Sequence, residues 1–158
     1  GGLIAGTRFN AATPMCYISY AAPIAGIAYT AATAKLIDLA GMTEQLDVSS
    51  EFTTNATTGK VTYTGTVTKY VEVGIDFTIL PAQSAQTITF WVSKNSSLTQ
   101  VCPRNMNFTA TTPAGYIPFS VAMGYVMATN DTIQLAGQYS ATASVNIFEC
   151  QYRLNAYC

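Results

Sequence analysis

From residue 35 onward, apolar and polar residues alternate in short runs broken by turn formers about every ten positions, the spacing of a β-sandwich or barrel. The clearest run puts Val71, Val73, Ile75, Phe77 and Ile79 on one side and Glu72, Gly74, Asp76 and Thr78 on the other, which predicts a strand with one face in a core, ended by Pro81. A second run sets Ile88, Phe90 and Val92 against Thr89, Trp91 and Ser93, so Trp91 is expected to point away from the core. Asn55-Ala56-Thr57-Thr58-Gly59 joins two short strands as a hairpin, with glycine supplying the positive φ of the turn. Residues 94–115 are rich in Asn, Ser, Thr and Pro and predict long loops around one short strand at 98–101. Strands at 117–127 and 132–139 follow, joined by a turn at 128–131. The last strand, 143–154, carries apolar residues in both phases, Val145 and Ile147 in one and Phe148, Cys150, Tyr152 and Leu154 in the other. Burial on both sides is the expectation.

The N-terminal part has a different texture. Residues 9–34 carry no charge and are long enough to cross a bilayer. Pro14, Pro23 and Asn10 argue against a membrane helix, because an interior proline costs a helix about 3 kcal/mol. A basic n-region followed by a Leu-rich run is also missing, so a signal peptide is not expected. This leaves an extended arm over residues 1–34 that packs along a neighbouring surface or leads into a shaft, and a head domain over 35–158.

Charge then narrows the classes. Only 9% of the 158 residues are charged against 49% apolar, with a net charge of −1, which disfavours disorder, a coiled coil and a nucleic-acid surface. A chain this poor in charge must cover itself with neutral polar groups or bury surface in an oligomer. It has no histidine, which removes the commonest general base and metal ligand. The carboxylates Glu72, Asp76, Asp131 and Glu149 are scattered. Asn130-Asp131 offers one aspartate, too few for a calcium cage. No cofactor and no enzymatic activity are expected. The four cysteines, Cys16, Cys102, Cys150 and Cys158, form no C-x-x-C pair. Free thiols and one or two disulfides both fit them; a bridge involving Cys150 or Cys158, the candidate pair, would tie down the C-terminal tail. Four N-x-S/T sequons stand at Asn55, Asn95, Asn107 and Asn130, all in expected turns or loops.

The order of elements in residues 51–135 resembles the jelly-roll domains of the tumour necrosis factor and complement-head superfamily, and more closely the head domains at the tips of viral and phage fibres. Phe52, the hairpin Asn55 to Tyr63, the strand opening Lys69-Tyr70-Val71-Glu72-Val73, the segment Phe90 to Asn95, and Ala128 to Leu135 carry the likeness. The resemblance implies an all-β, antiparallel jelly-roll sandwich in a symmetric oligomer, with a trimer favoured. It further implies a fibre head that attaches to a host-surface glycan or protein receptor by multivalent binding, displayed on the virion surface without membrane insertion. A structural virion protein (minor capsid or decoration) and a secreted cytokine- or complement-like ligand are the alternatives.

Within that reading, Trp91, Tyr125, Phe148 and Tyr152 are the candidate interface anchors, since rigid aromatic area with a polar tip suits a subunit contact. Ordinary core packing is the competing role for each. Asn105, Asn107 and Phe108 form the candidate receptor loop, because long loops on a rigid sandwich carry recognition.

Overall fold

The computed structural model describes residues 15–19, 24–47, 50–81, 86–107 and 117–157, and among them every regular element is a strand. The strands are β1 (Met15–Ser19), β2 (Ile24–Ala28), β3 (Lys35–Leu36), β4 (Thr43–Asp47), β5 (Phe52–Thr54), β6 (Val61–Tyr63), β7 (Lys69–Pro81), β8 (Thr87–Lys94), β9 (Arg104–Asn107), β10 (Ile117–Met127), β11 (Thr132–Tyr139) and β12 (Ser144–Tyr157). They form two six-stranded sheets with every pairing antiparallel. Sheet A runs β10-β7-β12-β1-β4, with β2 also on β12. Sheet B runs β5-β6-β11-β8-β9, with β3 also on β11.

The alternation read from the sequence sets the core. Val71, Val73, Ile75, Phe77 and Ile79 of β7 face Ile88, Phe90 and Val92 of β8 and Ile133, Leu135 and Tyr139 of β11, all buried in one cluster. Phe77, Phe90 and Phe119 meet at its centre with ring centroids 4.7, 4.9 and 5.6 Å apart. Full burial of each such side chain stabilises by about 1.5–3 kcal/mol, which is why the phase of each strand is fixed.

The β5–β6 hairpin forms where the turn residues require it. Asn55 Oδ1 accepts the Thr57 and Thr58 amides at 2.9 and 3.1 Å, and Gly59 adopts φ +71°.

Several expectations need correction. The supposed arm is, over its described part, built into the head: β1 and β2 lie end to end along the same side of β12, opposite Gln151–Asn155 and Ser144–Ile147 respectively. The last strand is not buried on two faces. A β-bulge at Glu149 (φ 50°) shifts the register between Phe148 and Gln151, so the core face passes from Val145 and Ile147 to Cys150, Tyr152, Leu154 and Ala156. The short strand expected at 98–101 is instead β9 at Arg104–Asn107. Residues 97–100 are tied to the outer face of sheet B by side chains, Ser93 Oγ to the Ser97 carbonyl at 2.8 Å and Gln100 Nε2 to Gln138 Oε1 at 2.9 Å.

Cys150 is a free, buried thiol, so the candidate Cys150–Cys158 bridge is not formed. The geometry opposes it, because β12 runs extended from the bulge to Tyr157, and seven residues at about 3.3 Å each carry the chain roughly 23 Å away. A disulfide needs Cα atoms within about 7 Å. Cys102 is free and exposed.

Candidate interaction surfaces

The two outer faces of the sandwich differ in kind. On sheet B, Thr89, Trp91, Ser93, Gln134 and Ala136 point away from the core yet are all buried by their own chain. Gln134 Nε2 reaches the Ile37 carbonyl and Asp38 Oδ1 at 2.9 Å and the Thr58 carbonyl at 3.1 Å, while Gln138 Nε2 donates to the Ala32 carbonyl at 2.9 Å. These bonds seal the face under segments 32–38 and 97–100.

The outer face of sheet A is open. Five large apolar side chains are exposed among the described residues, and three of them, Val126 (61%), Tyr70 (46%) and Tyr157 (44%), form one row. Val126 and Tyr157 are the direct cross-strand partners of Tyr70 on either side. Their side chains therefore stand next to one another across three strands. The Tyr70 ring lies over Gly124, where a Cβ would sit 1.9 Å from the Tyr70 hydroxyl, so only glycine lets the ring lie flat. A shallow depression of about 380 Å³ adjoins the row, bounded by Tyr70, Glu72, Gly74, Ala122, Gly124 and Arg153. Beyond it Asp76 accepts from both Arg153 and Ser120 Oγ, an exposed pair that contributes little to stability but neutralises one carboxylate of the face.

The candidate interface residues are not brought together. Trp91 faces away from the core, as its phase requires, but is 0% exposed and offers no area to a partner. Tyr152 is also fully buried, and its hydroxyl accepts the Leu135 amide at 2.9 Å across the sandwich. Burial, ahead of the charge of Cys150, holds its phenol well above the ordinary tyrosine range. Tyr125 is half-buried, packs against the core and donates its hydroxyl to the Val92 carbonyl at 2.8 Å; burial and then Cys102 push its phenol up. Phe148 alone lies on the outer face of sheet A, opposite Thr78. Sequence reasoning missed the row itself. Its signal was there, since Tyr70 and Val126 occupy the otherwise polar or small phase of two regular strands.

Of the candidate receptor loop, Asn105 is exposed but stands on β9, Asn107 ends that strand opposite Thr87 of β8, and Phe108 lies outside the described residues. At the far end of β11, a tight network accounts for two of the sequon asparagines. Asn95 donates to Asp131 Oδ1 and accepts the Thr132 amide, both at 2.8 Å, while Asp131 Oδ2 accepts the Ala128 amide at 2.9 Å and pairs with Lys94 at 3.0 Å. Asn95 and Asn130 both adopt positive φ there, a conformation asparagine tolerates. The hydrogen bond from Asn95, then that from the Ala128 amide, holds the Asp131 carboxyl below its usual range despite opposing desolvation. Asp131 is thus engaged in structure. No helix long and apolar enough to cross a membrane, and no group of three metal-ligating side chains, occurs among the described residues.

Comparison with known proteins gives a fold. No family model and no curated protein matches the chain. Among solved structures, Eiger TNF from S. frugiperda superposes with a TM-score of 0.62 at 12% identity, covering 92% of this chain and 94% of that one. The globular domain of zebrafish complement 1qA gives 0.50 at 9% identity, covering 91% and 95%. PRD1 vertex protein P5 gives 0.46 at 15% identity, covering 92% and 98%. The first two place the chain in the antiparallel jelly-roll class, and at such identities the likeness is one of fold alone.

Proposed function

We propose that this chain is the head domain of a viral or phage fibre, a homo-oligomer, trimeric by preference, that holds a host-surface glycan or protein receptor through several weak contacts at once. The observation that carries the oligomeric part is the exposed row Val126, Tyr70 and Tyr157 on the outer face of sheet A, which the described residues leave open. An apolar row beside a polar rim is the pattern of an association surface. Burying the exposed half of each of these three side chains contributes about 1 kcal/mol apiece, about 3 kcal/mol per copy, and a symmetric ring sums that over every contact. Attachment would then follow from avidity, with one site per subunit presented in a fixed array.

The test is the solution mass of the purified chain by light scattering, with and without Tyr70→Ser, followed by a glycan array probed with whichever species is stable. A closed oligomer that Tyr70→Ser shifts toward monomer, together with glycan binding lost on dissociation, is the expected result. A monomer at every concentration removes avidity and turns the reading to a decoration or minor capsid protein that assembles only on its virion.

A further inference from the structure

Strand β10 is the outermost strand of sheet A and, among the described residues, pairs only with β7, without a break from Ile117 to Met127. Along such a ladder, successive residues turn their N–H and C=O alternately toward the partner strand and away from it. Two residues fix the phase here. Pro118 sits inside the unbroken register with no N–H to give, which places it in the outward phase. The Val126 carbonyl accepts Lys94 Nζ at 2.6 Å, so it too is turned away from β7. The outward phase is therefore Pro118, Ser120, Ala122, Gly124 and Val126. Ser120 and Ala122 are exposed and Gly124 half-buried, their phase turns their main-chain groups away from β7, and none of the three has a main-chain hydrogen bond outside the β7 ladder among the described residues. A run of unpaired backbone groups is a template for another strand, which native proteins blunt with proline, charge or a bulge. Here the ends are blunted, by Pro118 and by Lys94, and the middle is not.

We propose that β10 pairs with β10 of a second copy, antiparallel about a twofold axis through Ala122. In that register Ala122 stands opposite itself and Ser120 opposite Gly124, each exchanging two main-chain hydrogen bonds. Pro118 stands opposite Val126. The donor that proline lacks then faces the one acceptor already satisfied, the Val126 carbonyl held by Lys94, so no group of the seam is left unpaired. This match at both ends selects a copy of the same strand over an arbitrary extended peptide. It also selects one register, since a shift by two residues sets Pro118 against an acceptor with no other partner. The side chains of these outward-phase residues point to the outer face, out of the plane in which the incoming strand pairs. The contact goes beyond the association through the open face proposed above and uses different atoms. It would join two heads, or two rings of heads, edge to edge.

The test is residue-resolved amide hydrogen exchange on the full chain across a dilution series, with the solution mass measured in parallel. The amides of Ser120, Ala122 and Gly124 should become protected as concentration rises, with even-numbered species appearing, and return to free exchange on dilution. Ala122→Pro removes one outward N–H and no bond to β7. It should abolish that protection at Ser120 and Gly124 and the even-numbered species, while the Val121 and Met123 amides, bonded to β7, stay protected and report an intact fold. Free exchange of the three amides at every concentration overturns the proposal. So does protection that persists in a single chain, which would mean that the chain covers its own edge, or protection that needs an added foreign peptide. Protection confined to odd-numbered assemblies and unchanged by Ala122→Pro overturns it as well.

Discussion

Two tyrosines of the core offer the same chemical change with opposite expected signs. Tyr29 is 3% and Tyr152 0% exposed, and phenylalanine at either removes one oxygen without opening a void larger than that atom. The Tyr29 hydroxyl is buried with no hydrogen-bond partner. The Tyr152 hydroxyl accepts the Leu135 amide at 2.9 Å. That amide has no strand to donate to, because β6 covers β11 at Thr132 and Ile133 and β3 covers it at Ala136 and Gly137, leaving a gap at 134–135. Tyr152 closes the gap from the opposite sheet. An unpaired buried hydroxyl costs about 1–3 kcal/mol on protein scales, so Tyr29→Phe should stabilise by up to roughly that amount. Tyr152→Phe orphans a buried N–H and should destabilise by about 1–3 kcal/mol.

The two variants should therefore differ by roughly 1–6 kcal/mol, which in a domain of this size separates their melting temperatures by a few degrees or more. Urea unfolding at one fixed protein concentration measures it, read as a shift of midpoint at constant slope. Equal midpoints, or a Tyr29→Phe variant that loses as much as Tyr152→Phe, would refute the reasoning, since both results mean that the two hydroxyls are equivalently satisfied.

Two further outcomes follow from local chemistry. The Asp131 carboxyl is held below its ordinary value of 3.8, so its stabilisation is present above the unfolded-state pKa and is lost as pH falls through the lower folded-state one. Asp131→Asn should weaken the protein at neutral pH, with the gap to the parent closing in acid below the ordinary carboxylate range; a gap independent of pH in acid denaturation curves would assign the loss to packing instead. Burial raises the Cys150 thiol far above the ordinary range, whereas Cys102 is exposed, so alkylation at pH 8 followed by peptide mapping should label Cys102 readily and Cys150 only after unfolding. Equal labelling of the two in the native protein would contradict the burial.

The strands were legible wherever a single phase runs unbroken, as in β7, β8 and β10, because a one-residue slip would expose a whole apolar face. They were misread where the phase changes within a strand. In β12, apolar residues in both phases looked like burial on two sides, and the cause is one extra residue at Glu149 that moves the core from one phase to the other. The hairpin at Asn55 was legible because its turn chemistry is local. The seal over Trp91 was not, because it depends on Gln100, Gln138 and Gln134, glutamines whose partners lie 38, 106 and 97 residues away in sequence. An indole in the outward phase of a strand reads as an interface anchor until the loop that crosses it is known. Pairing of β1 and β2 with β12 was hidden in the same way, since an Ala-rich uncharged segment shows no period that separates an arm from a strand of the sheet.

The open face and the free edge of sheet A meet at the same residues, since the outward-phase positions of β10 direct side chains to the one and main-chain groups to the other. Their sizes can be weighed one at a time against what the isolated fold requires. Gly124 is demanded by the fold, because the Tyr70 hydroxyl lies where its Cβ would be. Val126 is large and 61% exposed, so bulk as such is tolerated on this strand. Ala122 is exposed, and packing of the single chain places no demand on its size. β-propensity would favour a β-branched or aromatic residue in so long a strand. A small residue there is accounted for if something packs closely on the open face at position 122, where Ala122 borders the shallow depression. Ala122→Val therefore separates the two roles: it leaves every main-chain group of the strand in place and adds bulk only on the outer face, so it should lower the solution mass of an assembly held by that face while the concentration-dependent amide protection of Ser120 and Gly124 persists.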